Sequence, residues 1–290
     1  MQHCDYCGKE NDDRAQACQG CGTALPSHPA ANDAIPPVIF PPQLTGARAT
    51  IILLLSLLAQ FVGAAMLTVI LMVIACGKGM DLQDREQIAQ FKNQSQPAAI
   101  LAAAIFSLLV TLLAPILLVR RDLSNRTPTG AAWAIGTTKD IAKGLALGAA
   151  VAVGSMIIIA PFAKMTHIKA GPLTTMAMTP GFSRIAWVCV AILIVPIPEE
   201  LLFRGIMYGG YRQSFGASKA ALFTTSIFVL MHITEWIHFI PSILGIIALA
   251  ISALFMRLRG AAIGPAIGVH LAYNSTIVLS VILSTALVKS

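Results

Sequence analysis

The sequence predicts an all-α polytopic membrane protein of about seven transmembrane helices, with a small cysteine-bearing module at its N-terminus. Composition, the lengths of the apolar runs and the pairing of the cysteines carry that expectation. Of the 290 residues, 56% are hydrophobic and 11% charged, with a mean hydropathy of +0.76. A soluble domain has about 25% charged residues. A bilayer-spanning helix needs ~20 mainly apolar residues. The stretches 51–76, 98–119, 142–163 and 262–288 reach that length, and 185–197, 218–234 and 239–256 are shorter candidates. Seven spans result, with six or eight as alternatives.

The first element, residues 1–24, contains "CDYC" and "CQGC". Cys4, Cys7, Cys18 and Cys21 form C-x-x-C, ten residues, C-x-x-C. Two such turns present four thiolates tetrahedrally to one zinc ion. Gly8 and Gly22 follow the two pairs and tolerate the left-handed backbone of a tight turn. So small a segment cannot build a hydrophobic core, and metal binding would supply its folding energy. The segment resembles the short zinc ribbons at the ends of many bacterial membrane proteins. Its few cations, Lys9 and Arg14, face Asp5, Glu10, Asp12 and Asp13, so it lacks the basic footprint of a nucleic-acid binder. A structural role, or contact with a protein partner, is expected instead. A polar, cysteine-bearing start also predicts no cleavable signal peptide.

Residues 25–49 form a linker in which Pro26, Pro29, Pro36, Pro37, Pro41 and Pro42 favour an extended, semi-rigid chain. The N-terminal spans then occupy 50–182 and a second group of spans 183–288. Residues 81–96 are expected to hold a short outer helix, and Cys76 and Cys189 to be ordinary packing residues. The net charge of +7 is read as loop charge rather than a nucleic-acid surface. With seven spans and a cytoplasmic N-terminus, the inner side holds Lys9, Arg14, Arg48, Arg120, Arg121, Arg126, Lys139, Lys143, Arg204, Arg212, Lys219, Arg257 and Arg259. The outer side holds Lys78, Arg85, Lys92, Lys164, Lys169, Arg184 and Lys289. Positive residues accumulate on the cytoplasmic side, which favours this orientation, reducing conditions for the cysteines and a bacterial inner (plasma) membrane.

Acidic residues become scarce after residue 141: only Glu199, Glu200 and Glu235 remain. Charge within a bilayer costs about 2.5–3.5 kcal/mol on insertion scales, so two adjacent glutamates in "IPEELLFRG" call for partners. Glu200 and Arg204, four apart, share a helix face in the favoured order; Glu199 points about 100° away. "FVLMH" stacks Phe228 on His232, and "HLAYN" stacks His270 on Asn274.

E-E-x-x-x-R, F-x-x-x-H and H-x-x-x-N, in that order on successive spans, resemble the CPBP family of intramembrane proteases, which includes type II CAAX prenyl proteases and the Abi-like proteins. The resemblance covers roughly residues 183–285. It implies an intramembrane endopeptidase acting on membrane-associated or lipidated proteins and peptides. By carry-over, Glu199 activates water, His232 positions the water or the scissile carbonyl, and His270 and Asn274 stabilise the oxyanion. Glu200 and Arg204 form a supporting ion pair, and Phe228 walls the site. The implied partners are the lipid bilayer and a peptide or membrane-protein substrate.

Whether a catalytic metal takes part stays open. Glu, His and His match a zinc ligand set, but no H-E-x-x-H is present; the metal-free reading is preferred. A catalytically silent scaffold or immunity protein and a proton-coupled transporter are the alternative functions. One difficulty is geometric. At 1.5 Å per residue, Glu199 lies roughly 22 Å from one face, while His232 and His270 lie about 21 Å and ~12 Å from the other. Straight vertical helices do not bring them together.

Overall fold

The computed structural model describes residues 1–4, 7–12, 15–25, 43–165 and 182–287. The linker prolines and Asp5, Asp13, Arg14, Lys169 and Lys289 lie outside them. The chain divides into two compact units, Met1–Pro41 and Pro42–Ser290, a division that falls inside the expected linker.

The first unit is built from two similar turns. Strands β1 (Gln2–His3) and β2 (Glu10–Asn11) pair antiparallel, with Gln2 opposite Asn11. An isolated bridge joins Ala17 and Ala24. The Gly8 and Gly22 amides donate to the Cys4 and Cys18 carbonyls at 2.8 Å each. Both glycines hold positive φ, +72° and +73°, which an L side chain adopts only at a cost. Among the described residues, the buried apolar group here is Cys4, Cys18 and Leu25, too little to hold the fold without help.

The second unit is helical. Helix α1 is Gly46–Gly77 and α2 is Arg85–Val119. They form an antiparallel hairpin joined within its apolar length by Ser56–Thr111 at 3.0 Å and Gln60–Ser107 at 3.1 Å. The separate outer helix expected at 81–96 does not exist as such. Asp84 accepts from the Glu86 and Gln87 amides and so starts α2, and the helix formers of 85–96 run unbroken through Pro97 into the span. A 3₁₀ turn, Arg120–Asp122, ends the hairpin.

Helix α3 (Thr138–Met165) packs closely on α10 (Gly264–Leu287). A Cβ on Gly144 or Gly148 would strike the Pro265 or Val269 carbonyl. Small residues four apart let two backbones touch, the usual solution where lipid offers no hydrophobic drive between helices.

Residues 182–215 form one nearly continuous helical run. It comprises α4 (Phe182–Cys189), a π-helical stretch (Val190–Ile194), α5 (Pro196–Glu200), a second π stretch (Leu201–Met207) and α6 (Tyr208–Phe215). Then follow α7 (Ala217–Met231), a single turn α8 (Ile233–Trp236) and α9 (Ser242–Gly260). Among the described residues, five helices, α1, α2, α3, α9 and α10, are long and apolar enough to cross a membrane on their own. Together with 182–215 and α7 they fill the seven expected segments. The protein is an all-α polytopic membrane protein. Its lipid-facing surface carries exposed apolar side chains such as Leu54, Phe61, Leu117, Ile157 and Leu283. Cys189 is exposed, so it is not the packing residue expected; it sits on the outer side of its helix.

Alternating chain direction gathers one set of helix ends on one face: the start of α1, the end of α2, the start of α3, the ends of α6 and α9, and the starts of α7 and α10. Contacts tie this face together. The Leu44 amide donates to Asp122 Oδ2 at 2.6 Å and the Gly46 amide to Ser214 Oγ at 2.8 Å. The 123–137 loop tucks beneath α10, where the Ile263 amide bonds the Ala132 and Ala134 carbonyls.

Candidate active site

Three separate segments deliver the polar groups. Glu199 and Glu200 end α5, between the two π stretches. Each π turn spreads 4.4 rather than 3.6 residues around the axis, which re-aims the side chains beyond it; such stretches recur at functional sites. Two contacts support them. Asn274 Nδ2 donates to the Ala191 carbonyl at 2.9 Å, and the Trp133 indole N–H to the Leu201 carbonyl at 3.4 Å.

Helix α7 stops at His232, which holds the non-helical backbone angles φ −95°, ψ 19°. Fifteen residues rise only about 22 Å, short of the ~30 Å hydrocarbon thickness. A helix of this length ends inside the layer rather than at its far face, and His232 stands at that end. His270 lies in the second turn of α10, and α10 starts raised above the 123–137 loop. The three side chains meet all the same, from a helix that stops at His232, from the second turn of α10 and from between two π stretches.

The resulting geometry is compact. His232 Nε2 and His270 Nε2 each lie 3.9 Å from Glu199 Oε2. His270 Nδ1 lies 2.8 Å from Glu200 Oε1. Arg204 Nη1 is 3.2 Å from the same oxygen, and both partners are buried. Arg204 also donates through Nη2 to the Ala250 carbonyl at 3.1 Å, and its guanidinium carbon sits 4.2 Å above the Phe228 ring. Phe228 is fully buried; its ring centroid lies 4.4 Å from that of His232 and 5.2 Å from that of Phe203. Six of the seven expected residues thus converge. Asn274 does so indirectly, with one amide hydrogen committed to Ala191.

Hydrogen bonds assign the imidazole protons. His232 Nδ1 lies 2.8 Å from the Phe228 carbonyl, which can only accept, so Nδ1 carries the hydrogen. His270 Nδ1 donates in the same way to the Glu200 carboxylate. In neutral rings both Nε2 atoms are then acceptors. They face Glu199 Oε2, a buried oxygen with no hydrogen-bond partner. Three acceptors with no donor among them make a place for a water molecule or a cation. The residue types suit zinc. The 3.9 Å spacing exceeds the roughly 3.3 Å edge of a tetrahedral nitrogen–oxygen site, so the ligands would have to draw inward.

The cysteines form a separate cluster in the first unit. The four Sγ atoms all lie within 4.8 Å of one another, with Cys4–Cys21 at 3.6 Å and Cys7–Cys18 at 3.5 Å. These separations are close to the roughly 3.8 Å edge of a tetrahedral zinc–sulfur site. Asn11, which is buried, donates through Nδ2 to Cys18 Sγ at 3.5 Å and to the Lys9 carbonyl, and accepts from the Gln19 amide. The Thr23 hydroxyl, 3.1 Å from Cys21 Sγ, holds that thiol below its usual range. The cluster could hold a metal ion such as zinc.

Sequence reasoning missed Trp133, Phe203 and the Ala250 carbonyl. Trp133 lies in a loop with no motif, 68 residues from its partner. Phe203 sits inside the E-E-x-x-x-R run but reads there as an ordinary apolar residue. A backbone carbonyl carries no sequence signal at all.

Comparison with curated proteins and with solved structures gave no match. Residues 180–276 match the family described as type II CAAX prenyl endopeptidase, Rce1-like. This range contains all seven expected site residues and both π stretches. Over these residues, about a third of its length, the chain is similar to the Rce1-like family of type II CAAX prenyl endopeptidases.

Proposed function

We propose that this protein is an intramembrane endopeptidase that cleaves membrane-associated or lipidated proteins and peptides with water activated by Glu199. The carrying observation is the unpartnered Glu199 Oε2, faced at 3.9 Å by imidazoles from two other segments. A water in that space donates one hydrogen to Glu199 and the other to His232, whose Nδ1 is anchored on the Phe228 carbonyl. Glu199 then removes the proton as the oxygen attacks the scissile carbonyl. Positioned donors would stabilise the developing oxyanion. The second amide hydrogen of Asn274 is the candidate donor, because a neutral His270 gives its one hydrogen, at Nδ1, to Glu200. Arg204 pairs with Glu200 and holds it in place, and Phe228 walls the site.

A second reading rests on the same convergence of three acceptors. Glu199, His232 and His270 would hold a zinc ion, which when bound supplies Lewis-acid polarisation of water. For the ribbon, the four thiolates would hold a structural zinc on the cytoplasmic side, with the protein in a bacterial inner membrane. A closed Cys₄ site leaves no position for a substrate water, so the ribbon serves folding or a protein partner.

The test compares membrane peptidomes of cells carrying wild-type protein with those carrying Glu199→Ala. Substrates should persist uncleaved in the variant; identical peptidomes would rule the protease reading out. Metal analysis of protein lacking residues 1–40 separates the two chemistries. Active protein without bound zinc supports glutamate-activated water, and one zinc per chain lost together with activity on chelation supports the metal.

A further inference from the structure

We propose that the basic face holds a built site for the phosphoryl headgroup of an anionic phospholipid, formed by Arg212, Tyr208 and Arg257 beside Gly130. Arg257, in the last turn of α9, is 1% exposed. Its Nη2 donates to the Gly130 carbonyl at 2.9 Å, while its Nε is buried without a hydrogen bond. Arg212, in the last turn of α6, is brought to the same place, because the Gly130 carbonyl that Arg257 bonds also lies against Gly209, the neighbour of Tyr208. Its Nη1 donates to the Tyr208 hydroxyl at 2.9 Å. Among the described residues, neither arginine has a carboxylate within ion-pair distance. Arg204 shows the contrast, since its buried charge is met by Glu200. Two cations drawn together in a low-dielectric setting with only neutral partners are unfavourable, and an anion is the missing partner.

The surroundings point to phosphate on a lipid. Guanidinium groups bind phosphate through paired charge-assisted hydrogen bonds. The Tyr208 hydroxyl accepts from Arg212 and keeps its own hydrogen to donate. Both arginines stand at span ends, the level of headgroups, and the same face carries Arg120, Arg121 and Arg126. Its two acids are already engaged: Asp122 by the Leu44 amide and Asp140 by Thr137 and Lys143. Exposed Phe215, Phe255 and Leu258 on the same helices offer apolar surface to acyl chains, which free phosphate would not use. This inference is independent of the protease reading.

The experiment titrates phosphatidylglycerol into full-length protein in a neutral detergent and follows thermal unfolding, with retained lipid counted by native mass spectrometry. Expected are a saturable stabilisation and retained lipid, with about tenfold weaker binding for Arg212→Gln. Lys219→Gln, which removes an exposed cation from the same face, should bind as wild type. Inorganic phosphate over the same range should stabilise little. The proposal is overturned if phosphatidylglycerol gives no saturable shift or if Lys219→Gln weakens binding as much as Arg212→Gln. Inorganic phosphate matching the lipid would also overturn it, by showing a site for soluble anions.

Discussion

Glu200 has two polar neighbours, Arg204 and His270, whereas Glu199 Oε2 has no hydrogen-bond partner, and the proposed reading gives them different tasks on that difference. Glu199→Gln keeps shape and size but removes the base. Turnover of a substrate identified in the peptidome should fall roughly 10²–10⁴-fold, with membrane insertion and thermal stability unchanged; wild-type turnover would refute the role. Arg204→Ala should instead harm folding. It strips the partner from a carboxylate with no side-chain exposure, and breaking such a buried pair costs about 3–5 kcal/mol. Pairing Arg204→Met with Glu200→Gln should recover most of the lost melting temperature without recovering activity, because His270 then meets a neutral amide. A single Arg204→Ala variant with wild-type thermal stability would show that the pair contributes nothing to the fold.

Helical elements were legible in sequence as apolar lengths, and the motif residues as polar insertions into them. The π stretches were not legible, because a π turn loses local hydrogen-bond quality and persists through distant contacts. Asn274 reaches Ala191 across 83 positions, and no window of sequence contains both. Asn274→Ala should therefore lower kcat more than it raises KM and raise backbone hydrogen exchange at 190–194; unchanged exchange would sever that link. The α3–α10 contact makes a plainer claim. Gly148→Leu would drive a side chain into the Val269 backbone, and its loss of folded protein should show in size-exclusion profiles. The fused α2 adds a pH dependence. The Gln87 and Glu86 amides hold the Asp84 carboxyl below its ordinary range. Its folded value is depressed, so its capping is fully present above the unfolded carboxylate value, about 3.9. Capping is lost as pH falls through the folded value. Acid should fray residues 85–88 first, and Asp84→Ala should fray them at every pH, as read by hydrogen exchange.

The chain divides into two units, and the proposed reading gives them separate chemistry. Deleting residues 1–40 should remove one zinc equivalent per chain and leave cleavage of a short peptide largely intact. Unchanged zinc content would overturn the metal assignment, and complete loss of peptide cleavage in a well-folded truncation would overturn the separation of roles. Thiolate ligands must be deprotonated, so zinc should leave the ribbon on acidification to roughly pH 5 or below, as followed by a chromogenic chelator. The short α7 has a consequence of another kind. On the proposed activity, hydrolysis consumes a solvent that the hydrocarbon layer all but excludes, so the protein would have to import its second reactant. A helix whose length falls about 8 Å short of the ~30 Å layer is expected to thin the lipid beside it and admit hydration. Glu199 and His232, each with about a quarter of its side chain exposed, would meet that hydration. Radical footprinting generated from bulk water should mark Met231 and Trp236 beside this thinned lipid while sparing Met66 on the lipid-facing flank of α1.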